Sequence, residues 1–192
     1  MQIPTISVVT EPDREKALYT ILLGFSTDPF LRWMYPSAGN YMNACAAFDA
    51  FGGKAIDNGS AFVANDFEGV AFWMPPGAEA DEERFVEEVE KFVPKEKHET
   101  MFAVLEEMEK YHPEGAWYLP IIAVDPSYQG LGLGSQLMKK ALEKVDSDNL
   151  PAYLESSNPR NMSLYERCGF VTMGEIQIGD SPVIHPMIRE KQ

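Results

Sequence analysis

Hydrophobic positions along this chain follow two different periods, and the changes from one to the other lay out an alternating order of strands and helices. Residues 6–9 are a short β-branched run of strand type. From Pro12 onward Leu18, Ile21, Leu22 and Phe25 recur three or four apart, which predicts a helix with Thr10 as its cap. Residues 28–35 are a short helical or looped piece rich in aromatics, and 41–51 read as a helix ended by Gly52-Gly53. Apolar runs at 61–64 and 70–74, joined by Asn65-Asp66-Phe67-Glu68-Gly69, predict a hairpin whose second strand stops at Pro75-Pro76-Gly77. Phe85, Val89 and Phe92, then Met101, Val104, Leu105 and Met108, keep helical spacing on either side of Pro94.

The continuous apolar run Trp117–Val124 predicts the central strand, and Leu137, Met138, Ala141, Leu142 and Val145 predict the helix that follows from Leu133. Residues 152–155 then read as a strand, 158–168 as a short helix, and 169–178 with 182–189 as a closing pair of strands.

Composition adds bounds to this order. A chain of 192 residues, 45% hydrophobic and 11% aromatic, suits one globular domain over 1–192 with a proper core. Its net charge of −14 repels nucleic acid phosphates and is compatible with a cationic amine. Half of that charge lies between Glu79 and Lys110, where 12 acidic and 5 basic residues give a net of −7, mostly as a solvated helix face. Cys45 and Cys168 do not make a disulfide framework, and no metal-ligand spacing surrounds them or the three histidines, so no metal is expected. The first sixteen residues carry charges where a signal peptide needs an apolar core, and no apolar run approaches the roughly 18 residues of a membrane span. A soluble, cytoplasmic protein with no membrane partner, monomeric or a homodimer, is the expectation.

The stretch between the central strand and its helix carries the first candidate chemistry. Gln129, Gly130, Gly132 and Gly134 form Gln-x-x-Gly-x-Gly just where a helix begins. A helix start leaves backbone N–H groups unpaired with the positive end of the helix dipole behind them, and glycines let an anion approach closely, so the feature reads as a phosphate or pyrophosphate site. A glycine-rich turn that binds nothing has the same local signature. The ending of a nucleotide triphosphate loop is missing, and so is the dinucleotide fingerprint.

This loop resembles the coenzyme A pyrophosphate loop of the GNAT superfamily of N-acetyltransferases. A second motif strengthens the likeness: Asn158 stands seven residues before Tyr165, and Gly169-Phe170 closes the helix. Within the superfamily the wording of residues 117–170 is most similar to the group that includes puromycin N-acetyltransferase. The resemblance implies a GNAT fold of α/β (α+β) class: a mostly antiparallel mixed sheet of six to seven strands flanked by helices, its central parallel strands splayed around the coenzyme A site. Those strands would be Trp117–Val124 and 152–155, with Pro120 marking an irregularity beside the slot. Residues 1–114 would form the acceptor side and 115–192 the acetyl-CoA side.

The function implied is acetyl transfer from acetyl-CoA, as cosubstrate, to the amine of a small molecule by direct attack in a ternary complex. The alternatives are a protein or peptide N-terminus as acceptor, or a non-catalytic acetyl-CoA-binding regulatory module. Ile122, Ala123 and Val124 would hold the acetyl carbonyl and pantetheine arm. Gln129, Gly130, Leu131, Gly132, Leu133, Gly134 and Ser135 would hold the pyrophosphate, while Asn158, Asn161 and Tyr165 would meet the arm. Tyr165 is then the general acid, since a phenol keeps its proton at neutral pH. Glu155 is the candidate base, directly or through a water, with Glu114 second. Relatives often carry a His just before the central Trp-Tyr; here that residue is Ala116, and His112, followed by Pro113, reads as a loop residue. Relatives also often carry Lys or Arg where Leu131 stands, which leaves Lys139, Lys140 or Arg167 as charge partners. Phe30, Trp33, Tyr35 and Trp73 would wall the acceptor pocket.

Overall fold

The computed structural model describes residues 4–192 and places their strands in one sheet. In chain order the elements are β1 (Ile6–Val8), α1 (Arg14–Gly24), α2 (Pro29–Met34), α3 (Ala38–Tyr41), α4 (Cys45–Gly52), α5 (Lys54–Asp57), β2 (Ala61–Ala64) and β3 (Gly69–Met74). They continue with α6 (Glu82–Phe92), α7 (His98–Tyr111), β4 (Trp117–Val124), α8 (Leu133–Asp148), β5 (Ala152–Ser156), α9 (Pro159–Arg167), β6 (Val171–Thr172) and β7 (His185–Arg189). The sheet has seven strands among the described residues, in the order β1-β2-β3-β4-β5-β7-β6. Every neighbouring pair is antiparallel except β4 and β5, which are parallel. This is the mixed, mostly antiparallel, helix-flanked sheet that the resemblance implied.

Helices cover both faces. On one side α1, α2, α4, α6 and α7 pack against Val70, Phe72, Met74, Ile121 and Ala123. On the other α8 and Tyr165 of α9 pack against Ala71, Trp73, Trp117, Leu119 and Leu154. Strand β3 shows the ordinary alternation between these layers, while β4 switches faces partway along, and the register explains why. Phe72 pairs with Ile121 but Met74 pairs with Tyr118, so two steps on β3 oppose three on β4. The extra residue is a bulge at Leu119-Pro120, where proline has no N–H to offer the ladder. It turns Ile121 and Ala123 to the opposite face from Trp117 and Leu119.

Strands β4 and β5 are in register only at Trp117 with Ala152 and Tyr118 with Tyr153. Beyond these pairs they part, leaving a slot between the second half of β4 and the end of β5. The slot is the feature around which the site is built.

Several sequence expectations need adjustment. Residues 41–51 are not one helix: Ser37 caps the short α3 through Asn40 N, and a new helix starts at Cys45. Gly52-Gly53 does not stop the chain's helical course, because Gly53 has φ −63° and α5 follows at once. Thr10 precedes a 3-10 turn without capping it, its hydroxyl donating instead to Asp13. The closing strands are shorter than 169–178 and 182–189, joined by one further bridge between Ile176 and Ile184. Among the described residues no helix is long and apolar enough to cross a membrane.

Candidate active site at the parting of β4 and β5

The polar half of the site comes from one short stretch of backbone. After β4, Asp125 accepts a hydrogen bond from Ser127 N at 2.7 Å, and the Gln129 amide donates to Val124 O at 3.2 Å, which folds the chain into a tight loop. Gly130 and Gly132 then take φ of +78° and +83°, the left-handed region where a side chain would be strained. Gly132 is the N-cap of α8 and brings no side chain to cap it, so the first-turn amides of Leu133, Gly134 and Ser135 are left for a ligand. A Cβ on Gly134 would stand 3.2 Å from Leu164 of α9, so glycine there lets the two helices close together.

Opposite this loop, Asn158 caps α9 by accepting from Arg160 N at 3.1 Å, and Gly169, at φ +90°, ends the turn after that helix. The cleft between the two segments is lined by Ile122, Val124, Gly132, Ser135, Asn161 and Tyr165 among others, with Arg160 and Arg167 as its cations. An uncapped helix start flanked by two guanidiniums fits a pyrophosphate, and the open slot behind it fits an extended arm.

The apolar half is a chamber lined by side chains from α2, α4, α6, α7, β4, β5 and α9, with Phe25 just past the end of α1. Phe30, Phe48, Phe51, Phe85 and Met108 form much of its wall. Cleft and chamber share Phe25, Ile122, Asn161 and Tyr165, so they meet at the slot.

Of the titratable groups in the chamber wall, Tyr165 also lines the cleft. Glu155 is half-buried in the chamber wall. Loss of water raises its pKa to about 7, and the neighbouring Tyr118 and Tyr153 hydroxyls offset part of that rise, although the Tyr153 hydroxyl itself donates to Met108 O at 3.4 Å. Tyr118 and Tyr153 are the last register pair before the strands part, and Glu155 lies two residues past Tyr153 on the same face. Burial first, and the charge of Asp28 second, push the Tyr165 hydroxyl well above its ordinary value, so it stays protonated across the neutral range. Asp28 caps α2 by accepting from Phe30 N and Leu31 N, both at 3.0 Å, and also accepts from Ser157 Oγ at 2.7 Å, tying the α1–α2 turn to the end of β5.

Not every residue singled out from sequence lies here. Phe30 and Tyr35 line the chamber. Trp33 does not; it stacks behind Phe30 at 5.6 Å, with Lys97 over its other environs at 4.6 Å from the ring. Trp73 is fully buried on the α8 side of the sheet, because strand alternation sends it away from Phe72 and Met74, and it cannot wall the chamber. Leu131 is 54% exposed with its side chain outside the cleft lining. Lys139 and Lys140 are exposed on α8, Lys140 paired with Glu143, and neither lines the cleft; Arg167 does. Glu114 is exposed in a loop. His112 rests on the rings of Tyr118 and Tyr153, at 4.7 and 5.0 Å, and burial lowers its pKa.

Sequence reasoning missed Arg160, which follows the Asn-Pro pair and is placed by the cap itself. It also missed the chamber residues Phe25, Met34, Phe51, Phe85, Met108 and Ile184. Among the described residues no group of three or more His, Cys, Asp or Glu is placed to hold a metal.

Comparison with known proteins places this geometry. The acetyltransferase (GNAT) family model matches residues 65–170. An uncharacterised N-acetyltransferase of Schizosaccharomyces pombe is 26% identical over 211 aligned residues, spanning 96% of this chain and 82% of that protein. Among solved structures, a histone acetyltransferase HPA2 and related acetyltransferase from Corynebacterium glutamicum is 26% identical, with a TM-score of 0.70 over 100% of this chain and 98% of that one. The arylalkylamine N-acetyltransferase 2 of Aedes aegypti shares the fold at a TM-score of 0.70 and 13% identity, with 100% of both chains covered.

Proposed function

The chain belongs to the GNAT acetyltransferase family and is an acetyl-CoA-dependent acyltransferase; we propose that it moves the acetyl group to the amine of a small molecule, by direct attack while both substrates are bound. One observation carries this reading: the polar cleft and the apolar chamber open onto each other at Phe25, Ile122, Asn161 and Tyr165. A binding module that only sensed the cofactor would have no use for a second cavity ending at the same phenol.

In this reading the backbone amides from Gln129 to Ser135 hold the pyrophosphate, with Arg160 and Arg167 supplying charge. The backbone of Ile122, Ala123 and Val124, with Asn158 and Asn161, lines the path of the arm. Acetyl-CoA supplies the reactive thioester. Glu155 takes the proton that the acceptor ammonium must lose, for which a pKa of about 7 is well matched to neutral pH. Nitrogen bonds to the acetyl carbon as the carbon–sulfur bond breaks, Tyr165 gives its proton to the departing sulfur, and the second proton shed by the new amide nitrogen restores the Tyr165 phenol. The chamber, to which residues 1–114 and 115–192 contribute about equally, holds the body of the acceptor, while 115–192 supply most of the cofactor cleft.

The test is free thiol release by the purified chain from acetyl-CoA in the presence of small amines, with Tyr165→Phe beside it. Amine-stimulated release that drops roughly 10²- to 10⁴-fold in the variant, with acetyl-CoA affinity retained, is the expected result. Acetyl-CoA binding with no stimulation by any amine would overturn the reading.

A further inference from the structure

Resting on the assignment of the chamber as the acceptor site, we propose that the acceptor is a monoamine: one amine on an apolar body, with no second charge and no peptide backbone. The position of the amine follows from Glu155, which lines the chamber and stands two residues past Tyr153, where β4 and β5 part. Among the described residues that line the chamber, Glu155 is the one charged side chain. From there the wall turns to carbon, through Phe48 and Phe51 of α4, Phe85 of α6, Leu105 and Met108 of α7, and Ile184.

A second ammonium carried to the far end would leave water and find no carboxylate. The two acids of α6 and α7 that are half-buried, Glu88 and Glu107, lie outside the chamber lining and are held by Lys91 at 2.7 Å and Lys110 at 2.8 Å. The acidic surplus of the chain does not change this. Ten of the 12 acidic residues between 79 and 110 are exposed on the outer side of α6, α7 and their flanks, whereas Phe85, Leu105 and Met108 are what those helices turn inward. Aromatic faces attract a cation, but less than water does once the cation is dehydrated.

A peptide fails for a related reason, because each of its residues brings a backbone donor and acceptor that need partners. Beyond Glu155, Ser157, Asn161 and the Tyr118 and Tyr165 phenols near the slot, the far wall offers one polar group, the Tyr35 hydroxyl. That hydroxyl is buried and has no hydrogen-bond partner. The Tyr35 oxygen is itself closed off from the chamber, so a chain of amides is not accommodated.

The experiment compares acceptors of matched length with the full chain at saturating acetyl-CoA, following thiol release: heptylamine against 1,6-diaminohexane, with 2-phenylethylamine and a tripeptide with a free N-terminus alongside. The expected result is a kcat/KM for heptylamine and 2-phenylethylamine on the order of 100-fold or more above the diamine and the tripeptide. Leu105→Glu, which sets a carboxylate in the far wall, should raise the diamine-to-monoamine ratio by about 10-fold or more, and Leu105→Gln should not. A diamine or tripeptide that turns over as fast as heptylamine in the unmutated chain overturns the monoamine assignment and leaves acetyl transfer to an amine standing. If none of the four stimulates release although acetyl-CoA binds, the proposed function fails and the monoamine assignment with it.

Discussion

The two cavities that meet at Tyr165 are built in opposite ways. The polar cleft, assigned above to the cofactor, is made mainly of two short stretches, residues 122–135 and 158–167, with 24–28 closing one side, and its polar features are glycines, a helix start and two arginines. The apolar chamber, assigned above to the acceptor, is made of side chains from seven elements and their flanks, scattered between Phe25 and Ile184. A cleft of the first kind is written locally and tolerates wide change elsewhere in the chain. A chamber of the second kind is the unfilled part of a hydrophobic core, so any of a dozen substitutions reshapes it without touching the cofactor. The architecture thus separates a fixed donor site from an acceptor site free to vary, and it predicts that their kinetic constants can be moved one at a time.

The largest effect is expected where the two cavities join. Glu155→Gln should lower kcat by roughly 10²- to 10⁴-fold while acetyl-CoA affinity is kept. In the unmutated chain the rate should rise with pH through about 7, as the carboxyl loses its proton and becomes a base, and the variant should lose that dependence. Stability should move the other way. Because the folded-state pKa of Glu155 is raised from 4.5 to about 7, its contribution to the fold is most favourable below pH 4.5 and is lost as pH rises through 7. At pH 8 the variant should therefore be more stable, by up to about 3 kcal/mol, and melt several degrees higher. A variant that melts lower and turns over normally would make Glu155 a structural residue and leave the junction without its base.

A smaller and more selective change is expected at the donor site. In Gly132→Val a β-branched residue must occupy φ +83° at the very start of α8. The strain, about 1–3 kcal/mol, is relieved by moving the loop out of place. Acetyl-CoA affinity, measured by calorimetry, should weaken roughly 10- to 100-fold, with the KM for the acceptor unchanged. Equal losses on both sides would mean the donor and acceptor sites are not separable in the way their construction implies.

The same contrast governs what could be read from sequence. The strand, the glycine loop, the helix after it and the Asn158 cap follow from residues adjacent in the chain, and the structure places them as the local chemistry requires. Tyr118 and Tyr153, which hold Glu155, stand 35 positions apart and become neighbours only through the strand register. Phe51, Phe85 and Met108 read in sequence as ordinary members of apolar helical stripes, because the wall of a chamber and the interior of a core use the same side chains. Whether such a stripe is filled or faces an opening is decided by what packs opposite, and the bulge at Leu119-Pro120 that shifts β4 between faces cannot be read from apolar periodicity alone. Trp73 illustrates the cost of reading composition without direction: an aromatic on the hairpin suggested a pocket wall, but alternation along β3 turned it to the other layer.

The smallest effect is expected at that tryptophan, and it tests the boundary of the chamber. Trp73 is fully buried against the α8 layer, and its indole N–H has no hydrogen-bond partner. Trp73→Phe removes an unsatisfied donor, which favours the variant by about 1–3 kcal/mol, and leaves a small cavity, which costs a similar amount. Net stability should change by no more than about 1 kcal/mol, with kcat, acceptor KM and acetyl-CoA affinity within about twofold of the parent. The sheet lies between this residue and Phe30, and a rigid sheet does not transmit the loss of one ring. A rise in acceptor KM alone would show instead that the chamber reaches through β3 to the opposite layer, and the clean division between a backbone-built cleft and a side-chain-built chamber on one face would have to be redrawn with Trp73 inside it.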